Sequence, residues 1–238
     1  MVGIFLFTGA IAFILLAVKE QIPYMQADTL NKNIREKYVT EAEPEEVESK
    51  EDIGDPAQEK WKNPMNRKID FEGLQKINTD IVAWIYIPGT NIDFPVCKGK
   101  DNQYYLNHDF EQRNSKTGTV FVPEDTKTME DAHIIFYGHT PGMFGTLVEY
   151  QNEMYQEQNN RLYVYTPNTV IKCVIANSNY AVAGDGNYNR NFELNSAEYE
   201  EWISEMDIRS GSKQVFTLST CTKGNSASAR YVVRFVPD

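Results

Sequence analysis

The amino-acid sequence predicts a mainly β domain, a closed barrel of about eight strands with a few peripheral helices, preceded by an N-terminal transmembrane helix. Three observations predict this organisation. Many short segments alternate apolar and polar residues at fairly regular spacing, whereas few segments show helical periodicity. The first 18 residues form an uncharged, apolar run.

Residues 1–18, MVGIFLFTGAIAFILLAV, are predicted to be a membrane anchor. An uninterrupted helix of this length is roughly 27 Å long, close to the ~30 Å hydrocarbon thickness of a bilayer. A cleaved signal peptide is the alternative interpretation, but the basic n-region is missing and no A-x-A-like cleavage site follows. A buried core helix fits less well, because the stretch is apolar on every face.

Residues 19–60 are predicted to be a juxtamembrane segment and an acidic linker. Residues 26–40 could continue the helix out of the membrane. Residues 41–59 contain nine acidic residues and one lysine, and so hold −8 of the net charge of −11. Such a run cannot bury enough apolar surface to fold, and its sign argues against nucleic acid as a partner. Residues 61–238 then form one globular β-barrel domain.

The elements of this domain follow from its periodicity. Asp70 is predicted to cap a short helix in which Phe71, Leu74 and Ile77 recur every third residue. The predicted strands are residues 84–87, 92–96, 118–122, 133–137, 161–166, 170–182, 214–221 and 229–236. The predicted hairpin loop is 166–169, and the further predicted helices are 143–150 and 196–208, the latter with Asn195 and Glu198 at capping-box spacing.

The cysteines and histidines limit the possible chemistry. Three cysteines, Cys97, Cys173 and Cys221, cannot form a closed disulfide set, so at least one thiol stays free if the anchor places the domain outside the cell. No CxxC or HxxxH spacing occurs among the cysteines and histidines, so we predict no metal site. A free extracellular thiol is either buried and inert or the catalytic group.

Cys221 ends a predicted strand, and Arg230 begins the next one after a small, polar loop at 222–228. In an antiparallel hairpin the two residues would be near-opposite neighbours, about 4.5–5.5 Å apart at Cβ. A guanidinium there favours the thiolate and supplies donors for a developing oxyanion. Alternatively, Arg230 is a surface residue of the barrel and Cys221 a small core residue.

His139 is the best candidate for an acid/base partner. It follows an apolar strand and Gly138, at a strand-to-loop junction, and TPGMFG after it resembles a mobile loop. Of the other histidines, His133 begins the strand and is predicted to be structural, whereas His108 is expected near the groove wall. A cysteine and its histidine need spatial rather than sequential proximity, so the spacing alone does not establish the pair.

These residues resemble the sortase family. TLSTC at 217–221 resembles the signature TLxTC, and Arg230 stands where that family carries its essential arginine. YGH at 137–139 resembles the conserved YGH, and Met143-Phe144 the MF of the class B branch. Three more stretches agree: Asp70-Phe71 and Leu74 leading to Trp84-Ile85, Pro88-Gly89-Thr90 with Pro95-Val96, and YLNHDF at 105–110. Papain-like peptidases differ, because they place Cys before His.

The resemblance implies a cysteine transpeptidase with Cys221 as nucleophile, His139 as acid/base and Arg230 as the charge that holds the reacting carbonyl. It also implies a groove lined by Ser219, Thr220 and Asn107, and no cofactor is expected. The calcium-binding loops of some sortases have no recognisable match in this sequence, so we predict no metal. The enzyme would cleave a C-terminal sorting motif of secreted proteins after its Thr, forming a thioester. An amine of the peptidoglycan precursor would then release the acyl group.

The same resemblance implies a single-pass protein of the cell membrane with its catalytic domain on the extracellular face. Two other functions remain open. A pilus-polymerising sortase would use a lysine of another subunit as the acceptor. A catalytically silent barrel would only bind peptides, although the presence of Cys221, His139 and Arg230 argues against it.

Overall fold

The computed structural model describes residues 2–41, 63–222 and 228–238, with side chains from residue 19 onward. The α-helices are α1 (Val2–Tyr38), α2 (Phe71–Ile77), α3 (Glu153–Gln158) and α4 (Ala197–Glu205). The strands are β1 (Val39–Thr40), β2 (Lys68–Ile69), β3 (Ile81–Tyr86), β4 (Asp93–Lys98), β5 (Val120–Val122), β6 (His133–Tyr137), β7 (Arg161–Tyr165), β8 (Val170–Val182), β9 (Val215–Cys221) and β10 (Ala229–Pro237). Short 3₁₀ helices are Pro64–Asn66, Tyr104–Leu106, Leu147–Gln151 and Gly186–Tyr188.

Eight strands form a closed barrel in the order β10-β8-β7-β3-β4-β5-β6-β9. Each of the eight predicted strands is one strand of this barrel, so the predicted closed β-barrel is confirmed. The β4–β5 and β6–β9 pairs are parallel, and the other neighbours are antiparallel. Closure leaves the sheet without a free edge.

The interior of the barrel is filled by alternate residues of every strand, because successive side chains of a strand point to opposite faces. Phe216 and Leu218 of β9 lie in this core, as do Tyr231, Val233 and Phe235 of β10. The intervening residues of both strands therefore face outward. This parity puts Cys221 and Arg230 on the outer surface of the barrel.

Helix α4 covers part of that outer surface, and it packs Tyr199, Trp202 and Ile203 against the barrel. It is the predicted helix 196–208 with narrower bounds. The predicted capping box is wrong, because Ser196 is the N-cap and its side chain accepts a hydrogen bond from the Tyr199 amide. Asn195 instead adopts a left-handed conformation with φ 60°.

The predicted helix 143–150 needs correction. Residues 143–146 form turns, and the 3₁₀ helix begins only at Leu147. Gly142 has φ 131°, and the Gly145 amide donates to the Gly142 carbonyl, so the backbone turns before a helix can begin. The predicted helix capped by Asp70 is confirmed as α2, with Phe71 and Leu74 buried and Ile77, its last residue, 37% exposed.

Helix α1 packs against the barrel domain through its C-terminal half. Ile34 is buried, Asn31 donates to the Met143 sulfur over 3.6 Å, and Arg35 lies 3.5 Å from Asp93. The predicted helix over residues 26–40 is thus confirmed as far as Tyr38. Among the residues that could be searched, no helix is long and apolar enough to cross a membrane. The structure does not describe the side chains of the predicted anchor. Residues 42–62 also lie outside the described residues, and they include almost the whole acidic linker.

Candidate active site

A cavity of about 290 Å³ lies on the outer face of the barrel, where β6 and β9 end and β10 begins. Five of the six site residues that the sequence predicts line this cavity: His139, Ser219, Thr220, Cys221 and Arg230. The sixth, Asn107, is exposed and forms the C-cap of the 3₁₀ helix Tyr104–Leu106, outside the cavity lining.

Cys221 and Arg230 are direct partners in the antiparallel β9–β10 ladder, which confirms the predicted register of this hairpin. Residues paired in this way have Cβ atoms about 4.5–5.5 Å apart. Nη1 of Arg230 donates to the Ala229 carbonyl over 3.0 Å, which holds the guanidinium against its own strand. Of the predicted loop at 222–228, only Thr222 and Ser228 belong to the described residues.

Cys221 differs from the other two cysteines in its exposure. Its side chain is exposed, whereas Cys97 and Cys173 are both completely buried. Burial raises the pKa of both buried thiols, because a thiolate loses its solvation there. Cys97 and Cys173 therefore stay protonated, and Cys221 is the one cysteine that a substrate can reach.

His139 is oriented by a backbone carbonyl. Its Nε2 lies 2.8 Å from the Leu106 oxygen, which can only accept a hydrogen bond. Nε2 therefore carries the hydrogen, and Nδ1 remains for proton transfer. The sequence suggested no side chain for this orienting role, and Leu106 acts through an atom that every residue possesses.

The loop after β6 can pass close to the barrel because residue 138 is glycine. A Cβ built on Gly138 would lie 2.6 Å from the Phe144 ring, well inside van der Waals contact. The Phe144 amide also donates to the His139 carbonyl over 3.1 Å. Phe144 therefore packs against the backbone of residues 138–139. This contact fixes the position of the backbone at His139, where the loop begins.

Thr220 holds the two sides of the His139 loop together. Its hydroxyl donates to the Gly138 carbonyl over 2.8 Å and lies 2.7 Å from the hydroxyl of Thr140. The Thr140 hydroxyl also lies 3.2 Å from the Phe144 carbonyl oxygen, to which it can donate. Thr220 is only 2% exposed, so its contribution is to position His139.

Ser219 supports the part of the cavity wall that contains Tyr188. Its hydroxyl lies 2.8 Å from that of Tyr188, whose ring is parallel to the Tyr137 ring at a centroid distance of 6.2 Å. Burial raises the pKa of Tyr137 to about 12 and also raises that of Tyr188, so both phenols are neutral at physiological pH. Ser219 is 1% exposed and, like Thr220, supports the cavity rather than facing its opening.

The other two histidines do not line the cavity. His133 is buried, with Nδ1 2.6 Å from the Asn189 carbonyl and Nε2 2.8 Å from the Thr217 hydroxyl. Burial lowers the pKa of His133 to about 3, so its ring is neutral and structural, as predicted. His108, predicted near the groove wall, stacks on Tyr104 at a ring separation of 4.0 Å.

The lining residues that the sequence analysis did not assign to the site include Asn102, Leu106, Tyr188 and Arg190. Arg190 is held by Asp125 over 2.9 Å. These residues belong to two long connections, around 99–107 and 183–190. The YLNHDF motif did indicate that the first connection belongs to the site. The sequence pattern of this motif does not show that Leu106, rather than Asn107, lines the cavity.

The comparisons with known proteins agree with this geometry. The family model described as the sortase domain matches residues 85–237. The chain is 30% identical over 176 residues to sortase B of Staphylococcus aureus, covering 68% of this chain and 72% of that protein. The structure of Clostridium perfringens sortase B superimposes with a TM-score of 0.63 at 30% identity, covering 70% of this chain and 98% of that one. A sortase B–substrate complex from S. aureus gives 0.62 at 28% identity, covering 71% and 83%.

Proposed function

Because the chain belongs to the sortase family and is most similar to class B sortases, we propose that it cleaves a C-terminal sorting motif of secreted proteins after Thr. The acyl group then passes from Cys221 to an amine of the cell-wall precursor. Members of this family are cysteine transpeptidases. The observation that carries the proposal is the pairing of the exposed Cys221 with Arg230 in a cavity that also contains His139.

In the first half-reaction, the Cys221 thiolate attacks the carbonyl carbon of the Thr of the motif. The negative charge that develops on the carbonyl oxygen is stabilised by the Arg230 guanidinium, which supplies charge and hydrogen-bond donors. The carbon–nitrogen bond of the peptide then breaks, and protonated His139 gives its Nδ1 proton to the leaving amine. The product is a thioester on Cys221.

In the second half-reaction, the amine nitrogen of the acceptor attacks the thioester carbonyl. Neutral His139 takes the proton of the amine at Nδ1, the carbon–sulfur bond breaks, and the Cys221 thiolate leaves. The acyl group is then joined to the acceptor through a new amide. Water in place of the amine gives hydrolysis, so the ratio of the two products measures how well the acceptor is held.

We also propose that residues 1–18 anchor the enzyme in the cell membrane, with the catalytic domain on the extracellular face. The apolar, uncharged character of this run supports the proposal. We expect the full-length protein in the membrane fraction. In intact cells, a membrane-impermeant thiol reagent should label Cys221. Release of the protein into the medium would instead indicate a cleaved leader.

A peptide panel tests the proposed activity. We expect the enzyme to cleave fluorogenic peptides that contain a sorting motif, and mass spectrometry to detect the acyl group on Cys221. Added glycine peptides should be joined to the acyl fragment that Cys221 holds as a thioester. Transfer only to a lysine side chain of a pilin subunit would favour pilus polymerisation, and binding of every peptide without cleavage would indicate a silent barrel.

A further inference from the structure

The connection between β4 and β5, residues 99–119, presents the Leu106 carbonyl that orients His139. Its longest regular element is the 3₁₀ helix Tyr104–Leu106, a single turn that is marginal by itself. A group that directs proton transfer must nevertheless be held to within ~0.5 Å of its productive position. Contacts from other parts of the chain must therefore fix the position of this carbonyl.

Tyr105, the residue before Leu106, is anchored through its side chain, which is completely buried. Its hydroxyl donates to Oδ2 of Asp80 over 2.7 Å and accepts from Nδ2 of Asn78 over 2.8 Å. Burial raises the pKa of this phenol, so it keeps its hydrogen and donates to Asp80 at physiological pH. The tip of the Tyr105 ring is therefore tied to the short segment between α2 and β3.

Asn78 holds the same connection at further points. It is only 2% exposed and forms the C-cap of α2, so its own position is fixed. Its side-chain nitrogen also donates to the Phe110 carbonyl over 2.9 Å, and its side-chain oxygen accepts from Nε2 of Gln112 over 2.9 Å. These two partners belong to the connection between β4 and β5, as Tyr105 does, so Asn78 holds that connection at three points.

Gly118 packs directly against the carbonyls of Tyr105 and Leu106. A Cβ built on Gly118 would clash with the Tyr105 oxygen and lie 2.8 Å from the Leu106 oxygen, and its φ of 59° is in the left-handed region. The Thr119 amide donates to the Tyr105 carbonyl over 3.1 Å. The chain just before β5 therefore confines the carbonyl oxygen that holds Nε2 of His139.

We propose that Tyr105 is a positioning residue for His139. With its hydroxyl held by Asn78 and Asp80, Tyr105 fixes the 3₁₀ turn. The Leu106 carbonyl at the end of that turn then keeps the hydrogen of the His139 ring on Nε2, and Nδ1 is left to give a proton to the leaving amine and to take one from the acceptor. The kinetic part of this inference rests on the proposed function, whereas the position of the hydrogen on the His139 ring does not.

The first test compares two buried tyrosine hydroxyls in the full chain. In Tyr105→Phe we expect kcat for peptide cleavage to fall about tenfold with KM within about twofold, because a misplaced acid/base group affects the chemical steps rather than peptide binding. Tyr165→Phe is the matched control. The Tyr165 hydroxyl also donates one hydrogen bond, to the Pro64 carbonyl over 2.9 Å, but Tyr165 does not line the active-site cavity. We expect this control to keep kcat even if its melting temperature falls.

Two substitutions of Asp80 show whether the hydrogen bond of Tyr105 is what matters. Asp80→Asn should keep most of the parent kcat, because its amide oxygen can still accept from the hydroxyl, whereas Asp80→Ala should reproduce the loss seen in Tyr105→Phe. Gly118→Ala should have the largest effect, about a hundredfold in kcat, because its methyl group displaces the Leu106 carbonyl itself. The Asp80 pair and Tyr105→Phe decide the question if Gly118→Ala does not fold.

The second test observes the ring of His139 directly, by NMR of isotope-labelled imidazole nitrogens in the full chain in detergent micelles. Cys221→Ala is the background for this measurement, so that no thiolate favours a charged ring. At pH ~8.5, where an ordinary histidine is neutral, we expect the hydrogen of His139 on Nε2. Adding Tyr105→Phe should give a mixture of the two tautomers, and adding Tyr165→Phe should leave the Nε2 tautomer unchanged.

Three results would overturn the inference. They are an unchanged kcat in Tyr105→Phe, a lower kcat in which the hydrogen of His139 stays wholly on Nε2, and a hydrogen on Nδ1 before Tyr105 is changed. A purely structural role of Tyr105 would lower stability without moving that hydrogen. If the parent enzyme cleaves no sorting peptide, the proposed function fails, but the tautomer of His139 still decides whether Tyr105 positions the ring.

Discussion

Arg230 and Arg234 lie on the same strand and the same face, yet their surroundings are opposite. Arg230 is half-buried at the cavity beside Cys221, whereas Arg234 is completely buried. Nη1 of Arg234 donates to Asn177 over 2.8 Å and to Asn179 over 2.5 Å, and Nη2 donates to Asn187. A difference of four residues therefore separates an arginine that can meet a substrate from one that holds the fold together.

Burial changes the chemistry of Arg234. Loss of solvation lowers its pKa to about 10, still well above physiological pH, so the guanidinium remains charged. Its described hydrogen-bond partners are neutral amide oxygens and the Met206 sulfur. They join β8, β10 and the connection that carries Tyr188. At ~3.3 Å per residue, Arg234 is roughly 13 Å from Arg230 and too far to share one carbonyl.

The largest expected effect separates the exposed thiol from the buried ones. Cys221→Ala should lower peptide cleavage by at least ~10³-fold, as removal of a nucleophile does, without unfolding the barrel. Cys97→Ala and Cys173→Ala should keep the activity per folded molecule, because their thiols are buried and protonated. Turnover and thiol labelling on the three variants provide the measurement. An active Cys221→Ala enzyme would refute the assignment of the nucleophile.

The next effect tests Arg230 directly. Arg230→Ala should lower kcat by ~10²–10³-fold, the usual cost of losing one preorganised oxyanion donor. Arg230→Lys should recover only part of this loss, because an ammonium lacks the planar fork of a guanidinium. Steady-state kinetics on proteins with matched circular dichroism spectra measure both. Full activity in Arg230→Ala would mean that another group holds the developing charge.

Arg234 should respond in the opposite way. Arg234→Ala should keep turnover per folded molecule within a few-fold, but lower the free energy of unfolding by roughly 2–4 kcal/mol. The reason is that several buried amide oxygens lose their donor at once. Denaturant unfolding monitored by tryptophan fluorescence measures the change. A folded but inactive Arg234→Ala protein would contradict the division of roles between the two arginines.

The buried His133 makes the stability of the barrel depend on pH. The pKa of His133 is lowered to about 3, below its ordinary value of ~6.5, so the unfolded chain binds this proton first as the pH falls. The contribution of neutral His133 to the free energy of unfolding is therefore complete above pH ~6.5. It declines by about 1.4 kcal/mol per pH unit as the pH falls toward ~3. His133→Gln should flatten this part of the profile of unfolding free energy against pH. An equal slope in both proteins would show that other groups dominate the acid response.

The smallest expected effect concerns helix α1. Removal of residues 1–25 should leave a soluble enzyme with turnover close to that of the parent, because the contacts of α1 with the domain begin near Leu30. Removal of residues 1–38 should lower the melting temperature, because it takes away the buried Ile34 and the Asn31–Met143 contact near the His139 loop. Thermal unfolding and peptide cleavage of both proteins test this. Equal stability of the two truncations would show that the packing of α1 contributes little.

Several features could be predicted from the sequence because they depend on residues that are close together along the chain. The Cys221–Arg230 register follows from two strands joined by a short loop, since a hairpin determines which residues face each other. Asp70 was identifiable as a cap because its partner, Gly73, is three residues away. The prediction of Asn195 as the cap of α4 was wrong at the same range, because the backbone conformation selected the adjacent Ser196.

By itself, the sequence determined the eight strands, the barrel and the position of Cys221, His139 and Arg230, because period-two alternation and motif residues are local properties of the chain. Only the tertiary structure decided that the Leu106 carbonyl orients His139, that Tyr188 supports Ser219, and that Asn102 rather than Asn107 lines the cavity. Each of these facts joins residues separated by 30 or more positions. Such contacts depend on how long connections pack over a closed barrel, and no local pattern encodes that packing.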